Sequence, residues 1–499
     1  MRLASPWTDH AIVQHSKQIV LWGWCDTPRV RVDATLGSSK ATGAAGYDGR
    51  FELRLPPLPI GGPLELRVVA SSGEECVCRD ILVGEVWLIS GQSNVEFPLK
   101  TFDENDPLAQ TDLYLSEGGV DDMLRVFTVP RDGLATTNTR VGGSTPEWKY
   151  SNAENAPDFT AVGAWFGLYL RKRLEGIPVG IIHCSWGGTF IWTWMSRSAL
   201  SSIPSGRELL EIDDPVVRDA EYWDRFPVPY NYNECPDEIL QEARRSKKFT
   251  YHGYPPFSWY SPHKLYDTML KTVIPYGIRG FIWYQGAEDA DWPKDYLPYY
   301  ERLVALVKDW RYQWAQGEDF PCICLQLASW CAPDNDGWCT IQDDERKLCL
   351  ELPNVYSCAI NDTNHGEPDN NHQHDKQPIG YRLAQVALGE VYKLQDVTPA
   401  GPLLTKVTKE PDGRHLRLHF KYANGLHARD GQPLRTFQVA DENGTWHDAN
   451  ATVDGETILL DAPGIQSPVA ARYNWQARLP QGNLVNSADF PALTFTQKV

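Results

Sequence analysis

The sequence predicts an α/β protein: a mostly parallel sheet with helices on both faces, flanked by a β-sandwich at each end of the chain. Three observations predict it. Short β-type runs separated by turn signals fill the first eighty residues, apolar strands alternate with amphipathic helical stretches from Gly84 to about residue 395, and short strands return after that. At 499 residues the chain exceeds one ordinary domain, and the expected division is 1–83, 84–395 and 396–499.

The first segment reads QIVLWGW, VRVDATL, the Asp48-Gly49 turn, FELRL and LELRVVA. In FELRL the residues Phe51, Leu53 and Leu55 share one face, the period-two pattern of a half-buried antiparallel strand. From Gly84 the strands GEVWLISG, MLRVFTV, PVGIIHCSW, IRGFIWYQG, PCICLQLAS and NVYSCAIND alternate with helical patterns in AVGAWFGLYLRKRL, KLYDTMLKTV and YLPYYERLVALVKDW. A sheet of this kind binds its ligands beyond the carboxyl ends of its strands. Residues 201–260, rich in Pro, Tyr and acidic side chains, interrupt the alternation and are expected to form an insertion over one rim. After the helical run IGYRLAQVALGEVY, the strands LRLHF, ETILLDA and ARYNW form the closing sandwich.

Composition narrows the function. A net charge of −18, with no run of Lys or Arg, excludes a basic stripe for nucleic acid. No stretch approaches a membrane span and the N-terminus lacks a signal-peptide pattern, so a cytoplasmic protein is expected. Eleven cysteines, several inside apolar runs, read as reduced buried thiols, and the Cys-x-Cys pairs lack a second pair at zinc-ligand spacing. Nineteen tryptophans exceed what a core of this size needs, and an indole face suits a pyranose ring.

Four strand ends carry chemistry. The first parallel strand stops at Ser90-Gly-Gln-Ser-Asn94, which presents Ser93 as a nucleophile beside backbone N–H donors. PVGIIHCSW ends in Gly187-Gly188-Thr189, and a glycine turn brings N–H groups close to a ligand. IRGFIWYQG supplies the carboxamide of Gln285, and NVYSCAIND runs into the loop NDTNHGEPDNNHQHDKQPIG with its imidazoles and carboxylates. A hydroxyl, oxyanion donors and a base together suit acyl transfer without a cofactor.

GEVWLISGQSNVEFPL, IPVGIIHCSWGGTFIWTWMS, IRGFIWYQGAEDA and HDKQPIGYRLA resemble, in order, four blocks of the sialate O-acetylesterase family within the SGNH hydrolases. The resemblance extends over nearly the whole chain and implies an SGNH, flavodoxin-like arrangement of the sheet. It also implies a Ser-His esterase acting on O-acetylated saccharides, either sialates or plant glycans such as acetylxylan. Ser93 stands at the family's nucleophile and His372 at its general base. Asp369, three residues before His372, fits the Asp-x-x-His pattern of a triad, although some relatives use a dyad. The oxyanion hole is expected from the Ser93 N–H, the N–H of Gly187 or Gly188, and Gln285. Gln92, Asn94, Trp186 and Trp192 are the expected substrate contacts, with Trp194 nearby. The chain departs from the family pattern at Asn370, Gln373 and Ala287, where relatives carry Asp, Pro and Glu, and Glu288 is displaced by one position.

Two other readings use the same residues. His365, His372 and His374 beside Asp362, Asp369 and Asp375 could form a metal-dependent hydrolase, though a metal site would not explain the serine and glycine turns. A glycan-binding scaffold that has lost catalysis would not have kept Ser93, His372 and the glycine turn. With an imidazole base, activity is expected to fall as pH drops through the ordinary histidine range, and a profile flat between about pH 5 and 8 would count against it.

Overall fold

One long strand, Glu75–Gly91, organises the molecule. Before Ile81 only Cys78 is buried and everything from Ile81 onward is buried, as expected where a strand passes from a sheet with one wet face into a sheet covered on both faces. The first part pairs antiparallel with Gly61–Ala70, and the second runs parallel to Val179–Ser185 on one side and Gly280–Tyr284 on the other. The expected division between residues 83 and 84 therefore falls inside one continuous strand. The structure, a computed structural model, describes residues 1–100, 110–131, 146–212, 261–290, 298–330, 335–364, 370–476 and 481–499.

The central sheet has the order Trp148–Ser151, Asp121–Thr128, Val179–Ser185, Glu75–Gly91, Gly280–Tyr284, Cys322–Leu325, Val355–Cys358, all parallel except the first. The chain leaves Gly91 toward one edge of the sheet and leaves Tyr284 toward the other, which opens a crevice at the carboxyl ends of these two neighbours. Side-chain parity places helices on both faces. Trp87 meets Phe166 of helix Ala161–Arg173, whereas Phe281 and Trp283, on the opposite parity, meet Trp310 of helix Tyr299–Gln313. KLYDTMLKTV is not one helix: Lys264–Thr268 is α-helical, and a separate 3-10 turn spans Leu270–Thr272. Of the expected insertion, residues up to Ile212 lie in the helices Arg197–Ser202 and Pro204–Ile212, and 213–260 lie outside the described residues.

In front of the long strand, a three-stranded sheet of Arg2–Leu3, Ile19–Trp24 and Arg50–Leu55 turns Phe51, Leu53 and Leu55 inward. The C-terminal part has two four-stranded antiparallel sheets, with Leu404, Leu418, Ile458, Phe437, Tyr473 and Phe495 buried in their shared core. Polar bonds dock it on the central sheet. The buried guanidinium of Arg346 pairs with Asp343 at 2.7 Å and donates to the carbonyls of Leu404 and Thr496, while Gln326 exchanges hydrogen bonds with the backbone of Thr494. Among the described residues nine cysteines are free thiols, and no helix is long and apolar enough to cross a membrane.

Candidate active site

The site begins where the long strand must stop. Gly91 has φ +149°, and a Cβ there would sit 2.0 Å from the carbonyl oxygen of Tyr284, so no other residue fits. The chain then turns into the single helical turn Ser93–Glu96. At the start of that turn the Ser93 N–H has no intrahelical acceptor, and it donates to nothing among the described residues. Ser93 Oγ lies 2.8 Å from His372 Nε2 across 279 residues of sequence. The imidazole packs on Phe97 with ring centroids 5.0 Å apart. Burial, helped by the charges of Lys376 and His374, pushes the His372 pKa down to about 4, so the ring is neutral at physiological pH.

The loop carrying His372 is held from several directions. Asn370 Oδ1 accepts the His372 N–H at 2.8 Å, and Tyr284 OH donates to Gln373 Oε1 at 2.9 Å. The Asn94 carboxamide bridges the two sides of the site, donating to the Asn371 carbonyl at 2.9 Å and accepting from Lys376 Nζ at 2.5 Å. Gln110 donates to the His374 carbonyl and to Asp375, while its own Oε1 accepts from Trp165. Lys376 is buried, and desolvation lowers its pKa to about 7. Asp369 and His365 lie outside the described residues. Asp362 is tied to Arg382 and Arg429, and among the described residues no group of three ligand side chains could hold a metal ion.

The glycine turn faces Ser93. A Cβ on Gly187 would lie 3.3 Å from Ser93 Cβ and 3.0 Å from Glu96 Oε2, so a side chain here would crowd the serine. The Gly187 N–H donates to Glu96 Oε2 at 2.6 Å, and Arg131 pairs with the other oxygen of the same carboxylate at 2.5 Å. Gly188, at φ +64°, leaves its N–H without an acceptor among the described residues. The Arg131 guanidinium lies 5.8 Å from the Trp186 ring, so a cation and an indole lie together near the serine.

Three expected roles are corrected by burial. Gln285 is fully buried, and both protons of its Nε2 are committed, to the Thr189 carbonyl at 2.9 Å and to Asp289 at 2.6 Å; it braces the glycine turn and offers no donor to an oxyanion. Trp192 is fully buried and stacked on Phe190 at 4.1 Å, with Arg302 over its ring, so it is core and not a sugar platform. Trp194 is equally buried. Asn94 has both ends of its carboxamide occupied and acts as a clamp, not a substrate contact. Gln92 accepts from the Gly286 N–H at 3.1 Å, and its Nε2 has no partner among the described residues. Sequence reading missed Glu96, Gln110, Arg131 and Lys376. Glu96 is three residues from Ser93 on one helical turn, and Lys376 lies inside the HDKQPIGYRLA block, so only those two had a local signal.

Residues 253–390 match the family model described as carbohydrate esterase, sialic acid-specific acetylesterase. The sialate O-acetylesterase of Mus musculus is 26% identical over 512 aligned residues, covering 95% of this chain and 89% of that protein. That of Homo sapiens is 25% identical, covering 91% and 84%. A carbohydrate acetylesterase from Xanthomonas citri superposes with a TM-score of 0.78 at 27% identity, covering 99% of both chains. The chain thus resembles sialate O-acetylesterases and a carbohydrate acetylesterase along nearly its whole length. It is a hydrolase of O-acetyl esters on sugars. The blocks recognised in the sequence include the Ser93 turn and the His372 loop, which the fold brings within hydrogen-bond distance.

Proposed function

We propose that the carbohydrate O-acetylesterase activity of this chain runs through an acetyl-enzyme on Ser93. The observation that carries the reading is the 2.8 Å approach of Ser93 Oγ to the neutral His372 Nε2 at the carboxyl edge of the sheet. His372 takes the serine proton as Ser93 attacks the acetyl carbonyl. The developing oxyanion is held by the Ser93 N–H and by the glycine turn, with Gly188 already free of other acceptors and Gly187 released when Glu96 gives way. Collapse of the adduct expels the sugar hydroxyl, which receives its proton from His372. Water, deprotonated by the same imidazole, then frees acetate. Asp369 belongs to the proposal as the group that orients the imidazole. The parallel sheet, with Ser93 at the reversal of strand order, fits the SGNH type.

Acetylated sialate is the substrate class the site favours, because Arg131, once Glu96 gives way, supplies a cation beside Trp186 for a sugar carboxylate. An acetylated plant glycan is the second reading, favoured by the half-buried Trp186, whose ring suits a neutral pyranose as well. Gln92 Nε2 is the remaining polar contact offered to substrate. The free thiols fit a reducing compartment. Acetate release by the wild-type and Ser93→Ala proteins, compared on a 9-O-acetylated sialoside and on acetylated xylo- and manno-oligosaccharides, tests both points. The wild type is expected to release acetate from one class and the variant from none. Undiminished release by Ser93→Ala would sink the mechanism.

A further inference from the structure

A second concave site lies at the other edge of the sheet. It has a volume of about 1030 Å³, at or above the roughly 300–1,000 Å³ of small-molecule pockets, which leaves room for an oligosaccharide. One wall is the outward face of the N-terminal three-stranded sheet, and the other comes from residues 266–277 and 313–316. Those segments precede the strands Gly280–Tyr284 and Cys322–Leu325, so the cavity is at the amino ends, whereas Ser93 follows the carboxyl end of the long strand. The six-residue step from Glu85 to Gly91 alone separates the two levels by roughly 20 Å.

Its chemistry inverts that of the molecule. The whole chain carries a net charge of −18, yet Arg2, Lys17, Arg50, Arg54 and Lys271 line this cavity, with Asp267 as the lone lining carboxylate among the described residues. Asp267 is bound to His263 at 2.7 Å and lies 3.8 Å from Lys271, and Glu52, on the same outward face as Arg50 and Arg54, is shared between them. Strand register aligns the cations with indoles: Trp24 stands between Arg2 and Arg50 as their direct partner on either side, and the Arg2 guanidinium lies 4.2 Å from the Trp24 ring. The five cations come from four separate stretches of chain, so the sequence shows no basic run. A strip of guanidinium groups around a half-buried indole matches a sugar chain that carries carboxylates. The ring faces stack on the indole, and the carboxylates meet the forked donors.

We propose that this cavity is a binding site for acidic oligosaccharides, carboxylate-bearing sugar chains, that holds the polymer while Ser93 works on its acetyl groups. The proposal rests on the reading of the chain as a carbohydrate esterase, and its test separates the two. Binding of hexagalacturonate, an α2,8-linked sialic acid hexamer, neutral xylohexaose and a DNA duplex to the full-length protein is followed by calorimetry in low salt, for the wild type and for Arg50→Gln/Arg54→Gln. Hydrolysis of p-nitrophenyl acetate by both proteins reports on Ser93 alone. At least one acidic hexamer is expected to bind and xylohexaose not to. The double variant, which leaves Glu52 uncompensated, should bind that hexamer about tenfold or more weakly and hydrolyse p-nitrophenyl acetate at the wild-type rate. No binding of either acidic hexamer, equal binding by the double variant, or binding of the duplex as tight as that of the sugars would overturn the site. A wild type inactive on p-nitrophenyl acetate would instead count against the esterase mechanism, and the binding data would stand apart from it.

Discussion

Burial sets the protonation state on which the proposed role of His372 depends. A base whose pKa is lowered to about 4 is neutral, and able to accept the Ser93 proton, at any pH above that value. The acid limb of kcat/KM is therefore expected near pH 4 with a flat profile above it, which corrects the sequence-based expectation that flatness between about pH 5 and 8 would argue against histidine. Lys376 is protonated at that limb, because its own pKa is about 7, and its charge there disfavours a second positive charge on the imidazole. Lys376→Met should move the limb upward, toward the ordinary histidine range. A pH-rate profile of both proteins checks this, and limbs at the same pH would show that Lys376 does not act on the imidazole. At this scale the pairing of Ser93 with His372 was legible, since both stand in recognisable blocks. Occupancy was not: whether the amide of Gln285 is spent, or the ring of Trp192 covered, depends on neighbours from elsewhere in the chain.

Elements bring the site together, and here the clamp between the Ser93 turn and the His372 loop matters most. A four-residue helix and an irregular loop have little stability of their own. Their alignment depends on Asn94, which joins Asn371 on one side and Lys376 on the other. Asn94→Ala removes both bonds without touching the reacting atoms. Its expected effect is a fall in kcat of about ten- to a hundredfold with KM changed little, the signature of a displaced catalytic pair rather than lost substrate contact. Steady-state kinetics on the preferred acetylated sugar measures the split, and a rise in KM at constant kcat would restore Asn94 to the substrate-contact role expected from sequence. Apolar runs predicted the central strands because burial on both faces leaves a continuous hydrophobic signature. The loop around His372 has no such signature, since Asn94, Gln110 and Tyr284 reach it from three distant segments.

Across the whole molecule, the change of texture at Gly84 marked a real change of environment, but covalent and hydrogen-bonded continuity crosses it. Glu85 is at the joint, almost wholly buried, with Arg279 bonded to both carboxylate oxygens at 2.6 and 2.7 Å, His15 at 2.5 Å and Gln14 at 3.2 Å. One carboxylate thus ties the N-terminal strands to the segment entering Gly280–Tyr284. Desolvation alone would raise its pKa, yet the bonds to Arg279 and His15 win and hold it at about 2. A carboxylate depressed in the folded state stabilises the fold fully above its unfolded pKa, near 4.5, and loses that contribution as pH falls toward 2. Glu85→Gln keeps the shape but leaves Arg279 without its charge partner, which costs about 3 kcal/mol, the low end for a broken buried pair because part of Arg279 reaches solvent. Thermal melts from neutral pH down to pH 3 should show the variant well below the wild type at neutrality and the gap closing as the wild type loses its ionised carboxylate. A gap that stays constant across that range would mean that Glu85 acts through packing alone, and that the charge at the joint contributes nothing to holding the two sheets as one body.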